Sequence, residues 1–129
     1  MNDQPAGSGH PMTAKMLGKK VWVVITRGVK PREEIMKVLP EHLQHQVRME
    51  KSGAMFAAGP LKPAGTDQPP GALGMFILRA EDEAEARRLA DADPMHTSGA
   101  RSYDLYEWTM NEGRINISID LSDRSFQLV

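Results

Sequence analysis

The distribution of apolar positions along the chain predicts alternating strands and helices. Lys20 to Arg27 (KVWVVITR) is a β-branched run with apolar side chains of both parities, Val21, Val23 and Ile25 on one and Trp22 and Val24 on the other. A strand buried on both faces reads this way, which places it centrally in a sheet. Gly28 ends it. Pro31 to Val38 predicts a short helical turn. Pro40 then occupies the first turn of a second helix, where a missing N–H costs nothing, or else kinks one longer helix; the first arrangement is preferred. This segment runs to about Lys51, with Gly53 placed to supply a left-handed C-terminal residue. Its apolar stripe is Leu39, Leu43 and Val47, spaced four residues apart. His42 and Gln46 fall on or beside that stripe, and His45 points further round the helix.

Further along, Ala54 to Leu61 predicts a second strand ended by Gly59-Pro60. Lys62 to Gly71, with three Pro and two Gly, is a loop. Ala72 to Arg79 is a third strand. Glu81 to Ala92 is a short helix, acidic in its first turns and basic later, an order that suits the helix dipole. Ala86, Leu89 and Ala90 form its buried face, Asp93 continues that face, and Pro94 sets the boundary. Ser102 to Met110 is a fourth strand. Arg114 to Leu121 alternates strictly and predicts a half-buried strand, followed by a turn at Ser122-Asp123-Arg124 and a last short strand with Phe126 and Leu128.

The order is β-α-β-β-α-β with a C-terminal hairpin-like extension. The six-element part matches a ferredoxin-like α+β arrangement, a four-stranded antiparallel sheet with two helices on one face. Residues 1–14 read as a flexible tail, 15–110 as the domain and 111–129 as the β extension. Because the first and third strands are apolar on both sides, the second face of the sheet also needs a cover. A second subunit is the simplest one, so a homodimer packed sheet to sheet is expected.

Composition narrows the function classes. The chain has 129 residues, 16 basic and 17 acidic, for a net charge of −1. That balance argues against non-specific nucleic-acid binding, which relies on an excess of Lys and Arg. No cysteine occurs, which excludes disulfides, thiolate nucleophiles and Cys-based metal centres. No apolar run approaches the roughly 20 residues needed to span a bilayer, and the first residues lack the apolar core of a signal peptide, so no membrane association and a cytoplasmic location are expected. Phosphate-binding Gly-rich loops and the G-x-S-x-G elbow are absent.

Two short segments carry the candidate chemistry, Pro40-Glu41-His42-Leu43 and Asp93-Pro94-Met95-His96. An imidazole titrates near neutral pH and can take and return a proton. A carboxylate on its other nitrogen would fix the tautomer and stabilise the imidazolium. Without such a partner, His42 is a helix-edge residue packing beside Leu39 and Leu43, and Asp93 is a turn residue held by Pro94. His96 is placed to enter the same cleft or else sits in a solvated loop. His42-x-x-His45 offers two imidazoles from adjacent turns, a spacing of low specificity, and no metal or other cofactor is expected. Arg48 and Arg101 carry guanidinium groups suited to an anionic ligand, with surface charge as the alternative. Gly59 and Pro60 shape a cleft wall through backbone geometry. Of nine Met, the residues Met55, Met75 and Met95 fill core or cleft.

The succession KVWVVITR, LPEHLQHQVRMEKSGAMFAAGPL, GMFILRA, AEDEAEARRLADADPMHTSGA and SYDLYEW resembles the YciI-like (YCII-related) family of the dimeric α+β barrel group, from Lys19 to Trp108. The His-Leu of the helix, the following Ala-Gly-Pro-Leu and the Asp-Pro are its specific parts. The chain departs from the family in having Met95 where an apolar aromatic is usual, and in His96. The resemblance implies a His–Asp pair lining a small cleft, which falls here on His42 and Asp93. Arg48, Gly59, Pro60 and His96 are, from their own chemistry and position, the residues expected around a small-molecule ligand. It also implies a small cofactor-independent enzyme that moves one proton in elimination or isomerisation of a carbonyl, aromatic or lactone compound, as in a dehydrochlorinase among its relatives. Two other readings stay open from the sequence. One is a non-catalytic dimeric metabolite-binding or interaction module, and the other is a cofactor-free oxygenase-like barrel.

Overall fold

The computed structural model describes residues 9–68 and 72–128, so the start of the expected tail, the end of the 62–71 loop and Val129 lie outside it. The chain divides into two compact units, residues 20–109 and the two terminal segments, up to 19 and from 110 onward. In the larger unit the elements are β1 (Lys19–Gly28), α1 (Arg32–Ser52), β2 (Met55–Pro60), β3 (Leu73–Leu78), α2 (Glu83–Asp91), α3 (Pro94–Thr97) and β4 (Arg101–Met110). The sheet order is β2-β3-β1-β4. Strand β3 runs antiparallel to both β1 and β2. This is the ferredoxin-like α+β fold.

The core lies between the helices and one face of the sheet. Trp22 and Val24 of β1 stand opposite Leu78 and Phe76 of β3, so all four point the same way. Met49 of α1 and Ala86 and Ala90 of α2 pack on them. Both long helices therefore cover one face, and the small Ala side chains let α2 approach the sheet closely. A second cluster joins Ile35 of α1 to Met95 of α3 and Ala100. The opposite face carries Tyr106 and Trp108, both exposed.

The helix after β1 differs from the preferred arrangement. It is one continuous helix of 21 residues with Pro40 inside it. A proline at that depth removes a backbone hydrogen bond and costs about 3 kcal/mol. The cost is offset by packing, since Ile35 before the proline and Met49 after it are both buried and bind the two halves to one surface. The buried side is also not the stripe expected. Leu43 and Val47 are about half exposed, whereas His42 and Gln46 are buried.

Strand β2 contains a bulge. Met55 pairs with Leu78 and Ala57 with Ile77, leaving Phe56 as the extra residue. Its ring lies under the Arg79 guanidinium, 5.2 Å from the ring centroid. Beyond the bulge Ala58 stands opposite Phe76 and Pro60 opposite Gly74, so both face the helix side.

In the terminal unit, Pro11–Thr13 forms a single 3-10 turn in which His10 Nδ1 accepts from the Met12 N–H at 3.1 Å. Residue range 114–121 was expected to be one half-buried strand. The strand is shorter, β5 (Ile117–Asp120), and pairs antiparallel with β6 (Ser125–Leu128) as an isolated two-stranded ribbon. Ile117 stands opposite Leu128 and Ile119 opposite Phe126, placing four apolar side chains on one face, each more than 60 % exposed. No helix among the described residues is long and apolar enough to cross a membrane.

Candidate active site

Asp93 occupies the junction of α2 and α3. Pro94 at the first position of α3 forces Asp93 into an extended conformation, and its side chain caps the new helix by accepting from the Met95 N–H at 2.8 Å. The carboxylate is fully buried. From α1, His42 brings Nδ1 to 2.9 Å from both carboxylate oxygens. Gln46, one turn later, donates its Nε2–H to Oδ2 at 3.3 Å. Two residues 51 positions apart thus meet inside the protein.

Charge and tautomer follow from these contacts. Burial by itself pushes the Asp93 carboxyl upward, but the His42 hydrogen bond and charge, the Met95 N–H and the nearby His96 outweigh it, and the group is held below the usual carboxylate value. The carboxylate is therefore ionised at neutral pH and can only accept. His42 Nδ1 must carry the hydrogen it shares with Asp93, which leaves Nε2 as the nitrogen free to exchange a proton with a ligand.

His42 lines a cavity of about 480 Å³, a size suited to a small organic ligand. Its walls are the exposed side of α1 and the β2–β3 edge, chiefly Leu39, Leu43, Val47, Met75 and Phe76, with Ala58, Gly59 and Pro60 closing one side. The apolar residues that the periodicity assigned to the core are thus the lining of a pocket. His42, Gln46 and Arg101 form its buried polar part, and Arg32 stands in the wall, exposed. Burial lowers the affinity of the Arg101 guanidinium for its proton, and the Asp93 charge partly restores it.

Of the residues expected around a ligand, Gly59 and Pro60 line the cavity and two others do not. Arg48 is exposed on α1 and absent from the lining, because a residue six after His42 lies on the far side of the helix. His96 is turned inward. Its Nδ1–H donates to the Ala90 carbonyl at 2.6 Å, and its Nε2 lies 2.9 Å from the Thr26 hydroxyl. Burial lowers its pKa, reinforced by His42 and Arg101 and only partly opposed by the Ala90 carbonyl and Asp93. The ring is neutral at pH 7, so Nε2 accepts from Thr26. It packs against Tyr103 with centroids 4.6 Å apart, and Tyr103 in turn donates to Asp91 at 2.7 Å. Both His96 nitrogens are used within the fold, and His96 is not among the residues that line the cavity.

Sequence reasoning passed over Gln46 as a functional residue. Its signal was present, a polar side chain four residues after His42 on a buried helix face. His45 does not join His42, and among the described residues no group of three or more His, Asp or Glu is placed to hold a metal ion.

Comparison with known proteins places this geometry in context. Residues 21–109 match the model of the YCII-related domain. No curated protein matches the chain. Among solved structures, 5-chloro-2-hydroxyhydroquinone dehydrochlorinase from Burkholderia phenoliruptrix AC1100, in complex with 2,5-dihydroxybenzoquinone, is similar at a TM-score of 0.51 and 20% identity, over 67% of this chain and 92% of that one. An antibiotic biosynthesis monooxygenase aligns at a TM-score of 0.42 and 18% identity, over 73% of this chain and 99% of that one.

Proposed function

The chain belongs to the YCII-related domain family, and from that premise we propose that it is a small enzyme in which His42 transfers a proton and Asp93 orients it. The observation that carries this reading is the buried His42–Asp93 contact, 2.9 Å from Nδ1 to each carboxylate oxygen, at the wall of an apolar cavity. The substrate is a small carbonyl compound, aromatic, quinonoid or lactone-like. His42 Nε2 takes a proton from carbon or oxygen next to the carbonyl, and Asp93 stabilises the imidazolium that forms. In an isomerisation the same nitrogen returns the proton elsewhere on the enolate. In an elimination the electron pair of the enolate forms the new double bond as a leaving group such as chloride departs with its own pair. The dehydrochlorinase named above makes the second course the natural first test. The reaction needs no resident cofactor.

The second face of the sheet supports a homodimer. Tyr106 and Trp108 are exposed there, beside the partly exposed Val23, Ile25 and Met75. A second copy of the chain covers such a face with the same residues.

The test is hydrogen exchange into deuterated water, followed by NMR, over a panel of chlorinated and unchlorinated hydroxyquinones and unsaturated lactones, with chloride release measured in parallel. Wild-type protein accelerates exchange or chloride release for at least one compound, and His42→Asn lowers that rate about 10²–10⁴-fold, the range for removal of a general acid–base. Rates equal in wild type, variant and buffer across the panel would refute the proposal.

A further inference from the structure

The Gln46 side chain is only partly satisfied. Its amide orientation is fixed, because only the Nε2 end can face the ionised Asp93 carboxylate, 3.3 Å away. The Oε1 end therefore points away from Asp93, and it is buried without a hydrogen-bond partner. Buried amide oxygens are nearly always paired, so an unpaired one needs an explanation. Gln46 is 6 % exposed, shares the cavity wall with His42 and lies one helical turn from it. Arg101, 7 % exposed, stands in the same wall. The remainder of the lining is largely apolar and has little with which to orient a ligand.

We propose that Gln46 is the specificity-determining residue of this cavity, accepting at Oε1 a hydrogen bond from a hydroxyl that the ligand carries next to its carbonyl. The inference rests on the cavity being the ligand site, as in the proposed function, and it adds the ligand class, a small ring compound with adjacent hydroxyl and carbonyl groups. The two oxygens match the wall in kind. The hydroxyl donates to Gln46, the carbonyl oxygen accepts from Arg101 or from protonated His42, and the ring body meets Leu43, Val47 and Phe76. A ligand without the hydroxyl leaves Oε1 buried and unpaired. Sites built to hydrogen-bond a hydroxyl discriminate strongly against analogues that lack it. Gln46 thus has two functions at its two ends, positioning Asp93 and reading the ligand, and they are separable by experiment.

The probes are maltol, a neutral ring ketone with an adjacent hydroxyl, and its O-methyl ether, titrated by calorimetry into wild type, Gln46→Met and Gln46→Glu. Methionine keeps the length and removes both polar ends, and glutamate keeps an acceptor oxygen. Folding of each variant is checked by its thermal transition. Wild type binds maltol at least tenfold more tightly than the ether. Gln46→Met brings the two affinities within about twofold of each other, and Gln46→Glu retains part of the preference. Loss of the positioning function alone weakens both probes alike and leaves their ratio unchanged, so an unchanged ratio in Gln46→Met overturns the proposal. So does equal binding of the two probes to wild type, or binding of neither. Discrimination without any proton transfer on the compound panel rejects the catalytic reading and leaves the role of Gln46 standing.

Discussion

Replacing Asp93 by asparagine and by alanine separates its structural from its chemical function. The carboxylate caps α3 at the Met95 N–H and accepts from His42 Nδ1 and Gln46 Nε2. Alanine removes all of this. The lost cap costs about 1 kcal/mol, and each donor left unpaired in the interior costs about 1–3 kcal/mol more. Because these groups share one partner the costs do not simply add, and a loss of at least about 3 kcal/mol is expected. Asparagine keeps Oδ1 for the cap but presents an N–H₂ in place of Oδ2, which faced both His42 Nδ1 and Gln46 Nε2, and Oδ1 is left as the one acceptor for three donors. Two donors then oppose each other, and the ring relieves the conflict by moving its hydrogen from Nδ1 to Nε2. The stability loss is smaller, about 1–2 kcal/mol. Nε2, now occupied, no longer accepts a proton from a ligand. Urea unfolding gives the two stabilities, and ring-nitrogen NMR of ¹⁵N-histidine protein shows which nitrogen carries the hydrogen. Expected are Nδ1–H in wild type and Nε2–H in Asp93→Asn. An unchanged tautomer in the asparagine variant, or equal destabilisation by both substitutions, would refute the argument.

Other outcomes follow from the same structure. Pro40→Ala restores a backbone donor at an exposed position inside α1 and is expected to stabilise by about 1–3 kcal/mol in urea unfolding; a destabilisation would mean that the helix packs only with the proline present. His96 has its pKa lowered by burial from 6.5, so on acidification the unfolded chain takes up the proton first. Its contribution to stability is full above 6.5 and is lost as pH falls through the lower folded value, and His96→Gln, tested by urea unfolding across the acid range, flattens that dependence. Asp93 acts the same way lower down, its contribution full above 3.8 and lost as pH falls through its folded value. Ala58 is exposed on the helix side of β2 in the cavity wall, so Ala58→Leu folds with stability changed by less than about 1 kcal/mol yet weakens maltol binding by filling the cavity. Trp108→Glu, at the exposed face of the sheet, shifts the protein to a monomer in sedimentation if that face is the dimer interface.

The sheet and helices were legible because their signals are redundant. KVWVVITR has no helical reading, and the acidic-to-basic order of the 81–92 segment agrees with its Ala face. The junction at Asp93 was legible too, since Pro94 restricts the residue before it. What was misread depends on distant partners. Leu43 and Val47 have the spacing of core residues, and only the position of the β2–β3 edge makes them pocket lining. His42 and Gln46 fall on or beside the apolar stripe, but the pattern gives no partner for their polar ends until Asp93, far along the chain, supplies one. Pro40 was read by local propensity as a helix start, whereas packing on both sides carries the helix through it. In the 114–121 segment alternation predicted burial, but alternation reports only that one face is apolar, and in the β5–β6 ribbon that face is exposed.

The bulge at Phe56 bears on how this cavity can vary. In a regular strand, adding or removing one residue reverses which side chains face each way beyond that point. Here the odd residue is absorbed before the cavity wall begins, and Ala57 to Pro60 keep their pairing with β3. Deletion of Phe56 shortens β2 and leaves Ala58 and Pro60 facing the helix side. Deletion of Ala57 or Ala58 is taken up the same way, because the bulge closes as the residues before the gap each move one place along β2, and Gly59 and Pro60 keep their partners. The strand thus holds one spare residue: loss of a single residue before Gly59 leaves the register of the cavity wall intact, whereas loss of a second reverses it.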